Sequence, residues 1–188
     1  MTQNTLQVDG HRRQEVSVPG SVPHVASARL AALGITLPEP VSPSKLFSPA
    51  QLHDGIVRTS GQVPVRNGVP IALGAVGTVV SFEIAQECAR QCVLNALAAI
   101  YAEIGDLDRI KGFIKLTVFV ASGEGFFGQP AVADAASAFL IDVLGPAAGM
   151  HTRTAVGVVS LPRNVPVEVE VAASVTPVRA TSESNPTQ

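Results

Sequence analysis

Three charged residues stand out in the last long apolar segment of the sequence, which runs from His151 to Ala173. Arg153 opens this segment, and Glu168 and Glu170 alternate with valines near its end. Removing a charge from water without giving it a partner is costly, because the lost hydration must be replaced by other interactions. These three charges are therefore expected to face water, one another or a ligand.

Arg153 has the chemistry of a carboxylate-binding residue. It begins a β-strand pattern in which the small residues Ala155 and Gly157 share its side, which leaves space in front of its guanidinium group. A guanidinium is planar and can bind a carboxylate through two parallel hydrogen bonds. The sequence also allows an ordinary salt bridge to Glu168, to Glu170 or to an acid elsewhere.

Other catalytic patterns are missing from the sequence. It contains no phosphate-binding glycine motif and no serine nucleophile elbow. Cys88 and Cys92 lie four residues apart on one predicted helix face, which is more typical of small buried side chains than of a metal or disulfide pair. The histidines are scattered and indicate no metal site: His11, His24, His53 and His151.

The composition predicts one domain with an aliphatic core. The chain has 188 residues, of which 46% are hydrophobic but only 4% aromatic, so Val, Ile, Leu and Ala must fill the interior. Its net charge of −2 argues against a nucleic-acid partner. We see no signal peptide and no membrane span, and we predict a cytoplasmic protein. Residues 1–26 are predicted to be a flexible arm, 27–176 the domain and 177–188 a polar tail.

Hydrophobic periodicity and turn residues predict the order of elements. The pattern begins with a short helix capped by Ser27 and ended by Gly34, and the dipeptide Asn67-Gly68 predicts a hairpin. A long helix is predicted over 81–104, with Ser81 as its cap and Gly105 at its end. A second helix is predicted over 130–144 and stops at Gly145-Pro146. Strands are predicted over 55–65, 113–121, 152–160 and 165–175, with Ile114, Leu116, Val118 and Val120 on one side of the second.

This order predicts an α+β fold, a two-layer sandwich with both long helices on one face of a mixed sheet. The other face would carry valines, threonines and phenylalanines together with Glu168 and Glu170. A face of that size and polarity is expected to be covered, and a symmetric oligomer is the simplest cover.

Four sequence segments resemble the Rid (YjgF-type) superfamily of reactive-intermediate deaminases over about residues 47–175. They are SGQVPV (60–65), GDLDRI (105–110), VFVAS (118–122) and RTAVGVVSLPRNVPVEVEV (153–171). The segment FFGQPAVADAAS (126–137) is similar to a longer subgroup of that family. The resemblance implies a chorismate-mutase-like fold and a homotrimer, with clefts between neighbouring subunits.

The resemblance also implies a reaction and residues to perform it. Arg153 would bind the carboxylate of a 2-imino acid or enamine acid, Ser60 and Gly61 would line the cleft, and Glu168 would position a water. The water would attack the C=N carbon and release ammonia and a 2-keto acid. An imine is already electrophilic, so this reaction needs positioning and proton transfer but no cofactor.

Three positions depart from the pattern of the active deaminases. Phe47 stands where they carry a cleft tyrosine, Ala155 where many carry cysteine, and Gln129 near a cleft asparagine. These differences keep a second hypothesis open, in which the chain is a trimeric protein that binds small carboxylates without turnover. A third and weaker hypothesis is endoribonuclease activity, which the acidic balance of the chain does not favour.

Overall fold

The structure is a computed structural model that describes residues 26–40 and 45–176. The predicted flexible arm, apart from Ala26, and the predicted polar tail lie outside these residues. The helices are α1 (Ala26–Ala32), α2 (Phe82–Ile104) and α3 (Gln129–Gly149). The strands are β1 (Ala50–His53), β2 (Ile56–Thr59), β3 (Val65–Arg66), β4 (Val69–Pro70), β5 (Ile110–Ala121), β6 (Thr152–Val158) and β7 (Val167–Val175).

Five strands form one mixed sheet in the order β1-β2-β7-β5-β6. Neighbouring strands are antiparallel except for β5 and β6, which run parallel because the chain returns through α3 between them. The short strands β3 and β4 form a separate hairpin. Its loop is Asn67-Gly68 with φ angles of 52° and 82°, so the predicted hairpin is confirmed.

Both long helices pack on the same face of the sheet, as predicted. Alternate residues of β5 and β7 point into the layer between sheet and helices and are buried, among them Leu116, Val118, Val169 and Val171. α2 and α3 also contact each other, so the core is a single aliphatic cluster. The fold is therefore the predicted two-layer α+β sandwich.

The long helix α2 begins and ends as the sequence predicts. The Ser81 side chain accepts a hydrogen bond from the Ile84 N–H at its start, and Gly105 with φ 79° ends it. Cys88 and Cys92 are both buried on the inner side of this helix. Burial raises the pKa of the Cys88 thiol to about 12 and also raises the pKa of Cys92, so neither supplies a thiolate nucleophile.

One terminal feature of the predicted helices is wrong and another is confirmed. Ser27 does not cap α1, because the helix already includes Ala26. Gly145 has non-helical backbone angles, φ 74° and ψ 166°, so the first helical segment of α3 ends at Gly145-Pro146 as predicted, and one more helical turn follows this break. A proline is tolerated in the first turn after such a break, because its missing N–H would have no partner there.

Two features of the predicted strands are also wrong. The segment 55–65 is not one strand, because β2 ends at Thr59 and Val65 begins β3. β2 pairs with β1 in an earlier hairpin around Asp54-Gly55, with φ angles of 49° and 73°. In β5, a register shift between Phe113 and Lys115 turns Phe113 into the core and leaves Ile114 exposed. Such a bulge inserts one extra residue, which reverses the faces that strict alternation predicts.

Among the described residues, α3 is the one helix long and apolar enough to cross a membrane by length and composition. Val132, Ala136, Leu140 and Val143 of this helix are fully buried against the sheet and α2. The apolar composition of α3 is therefore explained by its position as a core helix of the domain.

Candidate active site

Arg153 lies on β6, the edge strand that runs beside α3. It pairs in register with Leu116 of β5, so its side chain starts on the face of the sheet that the helices cover. Its Nη1 atom donates to Asp134 Oδ1 at 2.7 Å and to Ser137 Oγ at 3.1 Å. The expectation that the space before the guanidinium is open is therefore wrong at Nη1, because α3 brings an acid of the same chain to it.

The remaining edge of the guanidinium is available. Within residues 26–40 and 45–176, Nε and Nη2 of Arg153 make no hydrogen bond. The side chain is 26% exposed, and the ion pair with Asp134 uses only one of its three nitrogens. Nε and Nη2 are a pair of parallel donors that can still bind a carboxylate in a forked geometry.

Gln129 and Ala155 lie, like Arg153, where α3 packs beside β6. Gln129 begins α3, and Ala155 follows Arg153 on β6. The Gln129 amide donates to Ser122 Oγ at 3.0 Å and to the Phe126 carbonyl at 2.7 Å. A side chain at Gly157 would approach Gln129 Nε2 to 2.9 Å, so the amide lies directly over this glycine. We call the line formed by Gln129, Asp134, Ser137, Arg153 and Ala155 the α3–β6 seam.

Glu168 lies on the opposite face of the sheet. It pairs with Phe119 on β5 and is partly buried, whereas Glu170 is exposed. Burial raises the pKa of Glu168 above its ordinary value of 4.5, and the nearby charge of Glu170 raises it further. A carboxyl group with a raised pKa exchanges protons with water and substrate more readily near neutral pH.

Gly61 lies directly against Glu168. A Cβ atom at Gly61 would overlap Glu168 Oε1 and would lie 2.7 Å from Glu168 Cδ, so a side chain cannot be added there without moving the carboxyl group. The Gly61 N–H makes no hydrogen bond within the described part of the chain. A free backbone N–H beside a carboxyl group can bind an acceptor atom of a substrate or a water.

A bulge creates this arrangement between β2 and β7. Arg58 pairs with Ala172, but Gln62 pairs with Val169, so the first strand contains one extra residue over this interval. The Thr59 hydroxyl accepts the hydrogen bond of the Val171 N–H, which the displaced backbone would otherwise leave unpaired. Ser60 and Gly61 therefore leave the regular ladder and border the Glu168 carboxyl group.

Phe47 lies in a groove that reaches Ser60, the residue next to Gly61. The groove has a volume of about 490 Å³ and is lined by Phe47, Arg58 and Ser60 among other residues. Phe47 is 50% exposed, so its ring can form a wall but supplies no hydrogen bond. The Ser60 hydroxyl donates to the Ser48 carbonyl at 2.7 Å and so holds the segment that carries Phe47. We call Phe47, Ser60, Gly61 and Glu168 the β2–β7 cleft.

The predicted site residues thus form two groups that one chain does not bring together. Arg153, Ala155 and Gln129 lie in the α3–β6 seam, while Phe47, Ser60, Gly61 and Glu168 lie in the β2–β7 cleft. β5 lies between β6 and β7, so these two strands are about 10 Å apart. Arg153 and Glu168 also lie on opposite faces of the sheet.

Sequence reasoning missed three residues that contact the predicted ones. Asp134 and Ser137 lie one turn apart on α3, so the sequence places both on one helix face, but it does not indicate that this face meets Arg153. His151 was recognised only as an isolated histidine, yet its Nε2 lies 3.0 Å from Ser137 Oγ. Among the residues that the structure describes, no three metal-binding side chains are grouped closely enough to hold an ion.

The architecture is a two-layer α+β sandwich in which both long helices cover one face of a five-stranded mixed sheet. A family model described as Endoribonuclease L-PSP matches residues 38–175. The chain therefore belongs to this family, which is the YjgF or Rid family.

Individual proteins are similar to this chain over most of its length. Protein TCP17 of Trypanosoma cruzi is 39% identical over 155 residues, which are 78% of this chain and 94% of that protein. The Agrobacterium tumefaciens protein Atu1372, of unknown function, is 37% identical with a TM-score of 0.75, over 81% of this chain and 93% of its own. A Shewanella oneidensis protein described as a candidate endoribonuclease is 27% identical with a TM-score of 0.77, over 80% and 99% of the two chains.

Proposed function

We propose that this protein is a homotrimeric deaminase that hydrolyses small 2-imino acids or enamine acids to 2-keto acids and ammonia. Membership of the Rid family supports a deaminase or small-molecule-binding role. The observation that carries the finer proposal is the separation of Arg153 from Glu168 within one chain. A carboxylate-binding cation and a proton-exchanging carboxyl group on opposite faces of one sheet cannot act on the same small substrate, whereas those of two neighbouring chains can.

In this proposal, Arg153 of one chain binds the substrate carboxylate through Nε and Nη2. Two parallel charge-assisted hydrogen bonds fix both the position and the plane of the substrate. The imine carbon would then lie against Ser60 and Gly61 of the neighbouring chain, with the Phe47 ring as an apolar wall. The small Ala155 side chain leaves room beside the arginine for the substrate.

Glu168 supplies the proton transfer. Its carboxylate accepts a proton from a water as that water attacks the imine carbon, and the carboxyl group passes this proton to the nitrogen, which gives a carbinolamine. The carboxylate then accepts the hydroxyl proton of the carbinolamine and passes it to the amine as the C–N bond breaks, so that the oxygen becomes the keto group and the nitrogen leaves as ammonia. A raised pKa makes both steps possible near neutral pH, because a group that is too acidic would not return the proton.

The experiment follows keto-acid and ammonia release from freshly generated 2-iminobutyrate. The wild-type protein is expected to accelerate release, and Arg153→Ala is expected to lose about 100-fold or more in kcat/KM, since charge-assisted hydrogen bonds contribute about 1.5–3 kcal/mol each. Arg90→Ala, which removes an exposed arginine from α2, is the matched control. Normal release by Arg153→Ala would contradict the assigned role.

A second candidate function is binding of small carboxylates without turnover, which Phe47 favours because its ring lacks a hydroxyl group for proton transfer. Calorimetry with 2-ketobutyrate distinguishes the two functions. Binding that depends on Arg153 in a protein without imine hydrolysis would support the binder. The endoribonuclease description of the family is tested in parallel by RNA cleavage with nuclease-free protein.

A further inference from the structure

Behind Arg153 runs a continuous chain of hydrogen bonds. Arg153 Nη1 donates to Asp134 Oδ1 at 2.7 Å and to Ser137 Oγ at 3.1 Å. Ser137 Oγ lies 3.0 Å from His151 Nε2, and His151 Nδ1 lies 2.6 Å from the Gly149 carbonyl oxygen. The chain therefore connects the guanidinium to the backbone at the end of α3.

The chemistry of each group fixes the direction of these hydrogen bonds. The Gly149 carbonyl can only accept, so His151 Nδ1 must carry a hydrogen. In the neutral ring Nε2 is then an acceptor, and the Ser137 hydroxyl donates to it. The lone pairs of Ser137 Oγ are left to accept from Arg153, and every polar group in the chain has a partner of the right kind.

The anchor of this chain is rigid. A Cβ atom at Gly149 would lie 2.6 Å from Ile141 Cα and 2.8 Å from the Leu140 oxygen, so the last turn of α3, which follows the break at Gly145, lies too close to the turn before that break for any other residue. The Gly149 carbonyl is thus held by main-chain packing and not by a mobile side chain. A ring that bonds to it has a defined orientation.

We propose that Ser137 and His151 are positioning residues that hold Arg153 by Nη1 and so keep its Nε and Nη2 atoms ready for a carboxylate. An arginine side chain loses rotamer freedom when it is fixed. If the fold fixes it beforehand, that cost does not reduce the affinity for the ligand. The inference rests on the proposed function, because it assigns the ligand of Arg153.

Asp134 alone does not account for this positioning. Its side chain is 67% exposed, whereas that of Arg153 is 26% exposed. Exposed ion pairs contribute little to stability, because water competes for both charges. Ser137 and His151 are both partly buried, so their hydrogen bonds are better shielded from that competition.

The test compares Ser137→Ala with Ser137→Thr, which restores the hydroxyl group. Ser137→Ala is expected to raise KM for the imino acid, and Kd for 2-ketobutyrate, about tenfold while kcat changes less than about twofold. Ser137→Thr is expected to recover most of the affinity. The control is Ser174→Ala, which removes a hydroxyl on β7 that donates to the Gly112 carbonyl on β5. This variant should change neither constant.

A spectroscopic readout separates this inference from the proposed function. In ¹⁵N NMR, a held guanidinium shows distinct Nη1 and Nη2 signals, and we expect them for Arg153 in the wild type but not in Ser137→Ala. His151 is expected to be in the Nδ1–H tautomer. Unchanged arginine signals together with unchanged KM and Kd in Ser137→Ala would overturn the inference. If the wild type hydrolyses no imine, the proposed function is wrong. The NMR signals and the Kd for 2-ketobutyrate still test whether Ser137 and His151 position Arg153.

Discussion

The α3–β6 seam and the β2–β7 cleft prepare their charged groups in opposite ways. In the seam, the hydrogen bonds that Arg153 donates to Asp134 and Ser137 hold its side chain from one side. In the cleft, Glu168 makes no hydrogen bond or ion pair within the described residues, and it lies against a glycine that could not carry a side chain. In the seam, hydrogen-bond partners fix the charged Arg153 side chain. In the cleft, partial burial without such partners raises the pKa of Glu168.

This contrast matches the two tasks that the proposed reaction divides between them. A group that binds a carboxylate must stay charged and keep its orientation, which hydrogen bonds provide. A group that accepts and returns a proton needs a pKa close to the working pH, and partial desolvation provides that. The comparison predicts that seam variants change mainly binding and cleft variants change mainly turnover.

The largest effect is expected from mixing two inactive variants. Arg153→Ala and Glu168→Gln should each retain less than about 1% of wild-type activity. In randomly mixed trimers, about a quarter of the sites would combine an intact Arg153 from one chain with an intact Glu168 from its neighbour. Activity should therefore rise to about a quarter of the wild-type value after co-expression.

The control for this mixing experiment places both substitutions in one chain. When that double variant is mixed with an equal amount of the wild type, only sites between two wild-type chains are intact. Activity should then be about a quarter of the wild-type value. If the two single variants regained no activity although mixed oligomers were present, the shared site would be wrong.

The next effect concerns Gly61. Gly61→Ala should reduce kcat at least about tenfold, because the new methyl group displaces the Glu168 carboxyl group from its place in the cleft. Gly112→Ala is the matched control, since a Cβ there meets nothing closer than the Ala148 oxygen at 3.8 Å. Steady-state kinetics of both variants, with circular dichroism to verify folding, measure the difference. Equal kcat values would show that the position of Glu168 does not matter for turnover.

A smaller effect is expected from Glu170. Its negative charge is the second cause of the raised pKa of Glu168, so Glu170→Gln should lower that pKa. The limb of the pH–rate profile that reports Glu168 should then move to lower pH by less than about one unit, because charges near water interact weakly. Glu124→Gln, at an exposed loop position, should leave the profile in place. A shift to higher pH would contradict the assignment.

The smallest effect is on stability. Because the pKa of Glu168 is higher in the folded chain than its ordinary 4.5, the wild type loses stability as the pH rises from that value through the folded-state pKa. Glu168→Gln removes this loss, so its melting temperature should exceed that of the wild type by a few degrees at pH 8 but not at pH 4. Thermal melts at both pH values measure the difference, and a constant difference would argue against the raised pKa.

Much of the fold follows from local sequence patterns. The caps at Ser81 and Gly105 and the hairpin at Asn67-Gly68 were predicted because such signals act within a few residues of the chain. β1 was missed although Asp54-Gly55 is the same kind of turn signal. The exposure of Ile114 was not predictable from alternation, because a bulge arises from pairing with β7 and not from the strand's own sequence.

For the candidate site, the residue types and their strands could be predicted from the sequence: Arg153 at the start of β6, Glu168 in β7 and a glycine at position 61. The contacts of Arg153 with Asp134 and Ser137, which lie 19 and 16 residues away along the chain, could not be predicted, and neither could the position of Glu168 on the other face of the sheet. Periodicity and turn chemistry act over a few residues, whereas these contacts depend on how a helix packs against a strand.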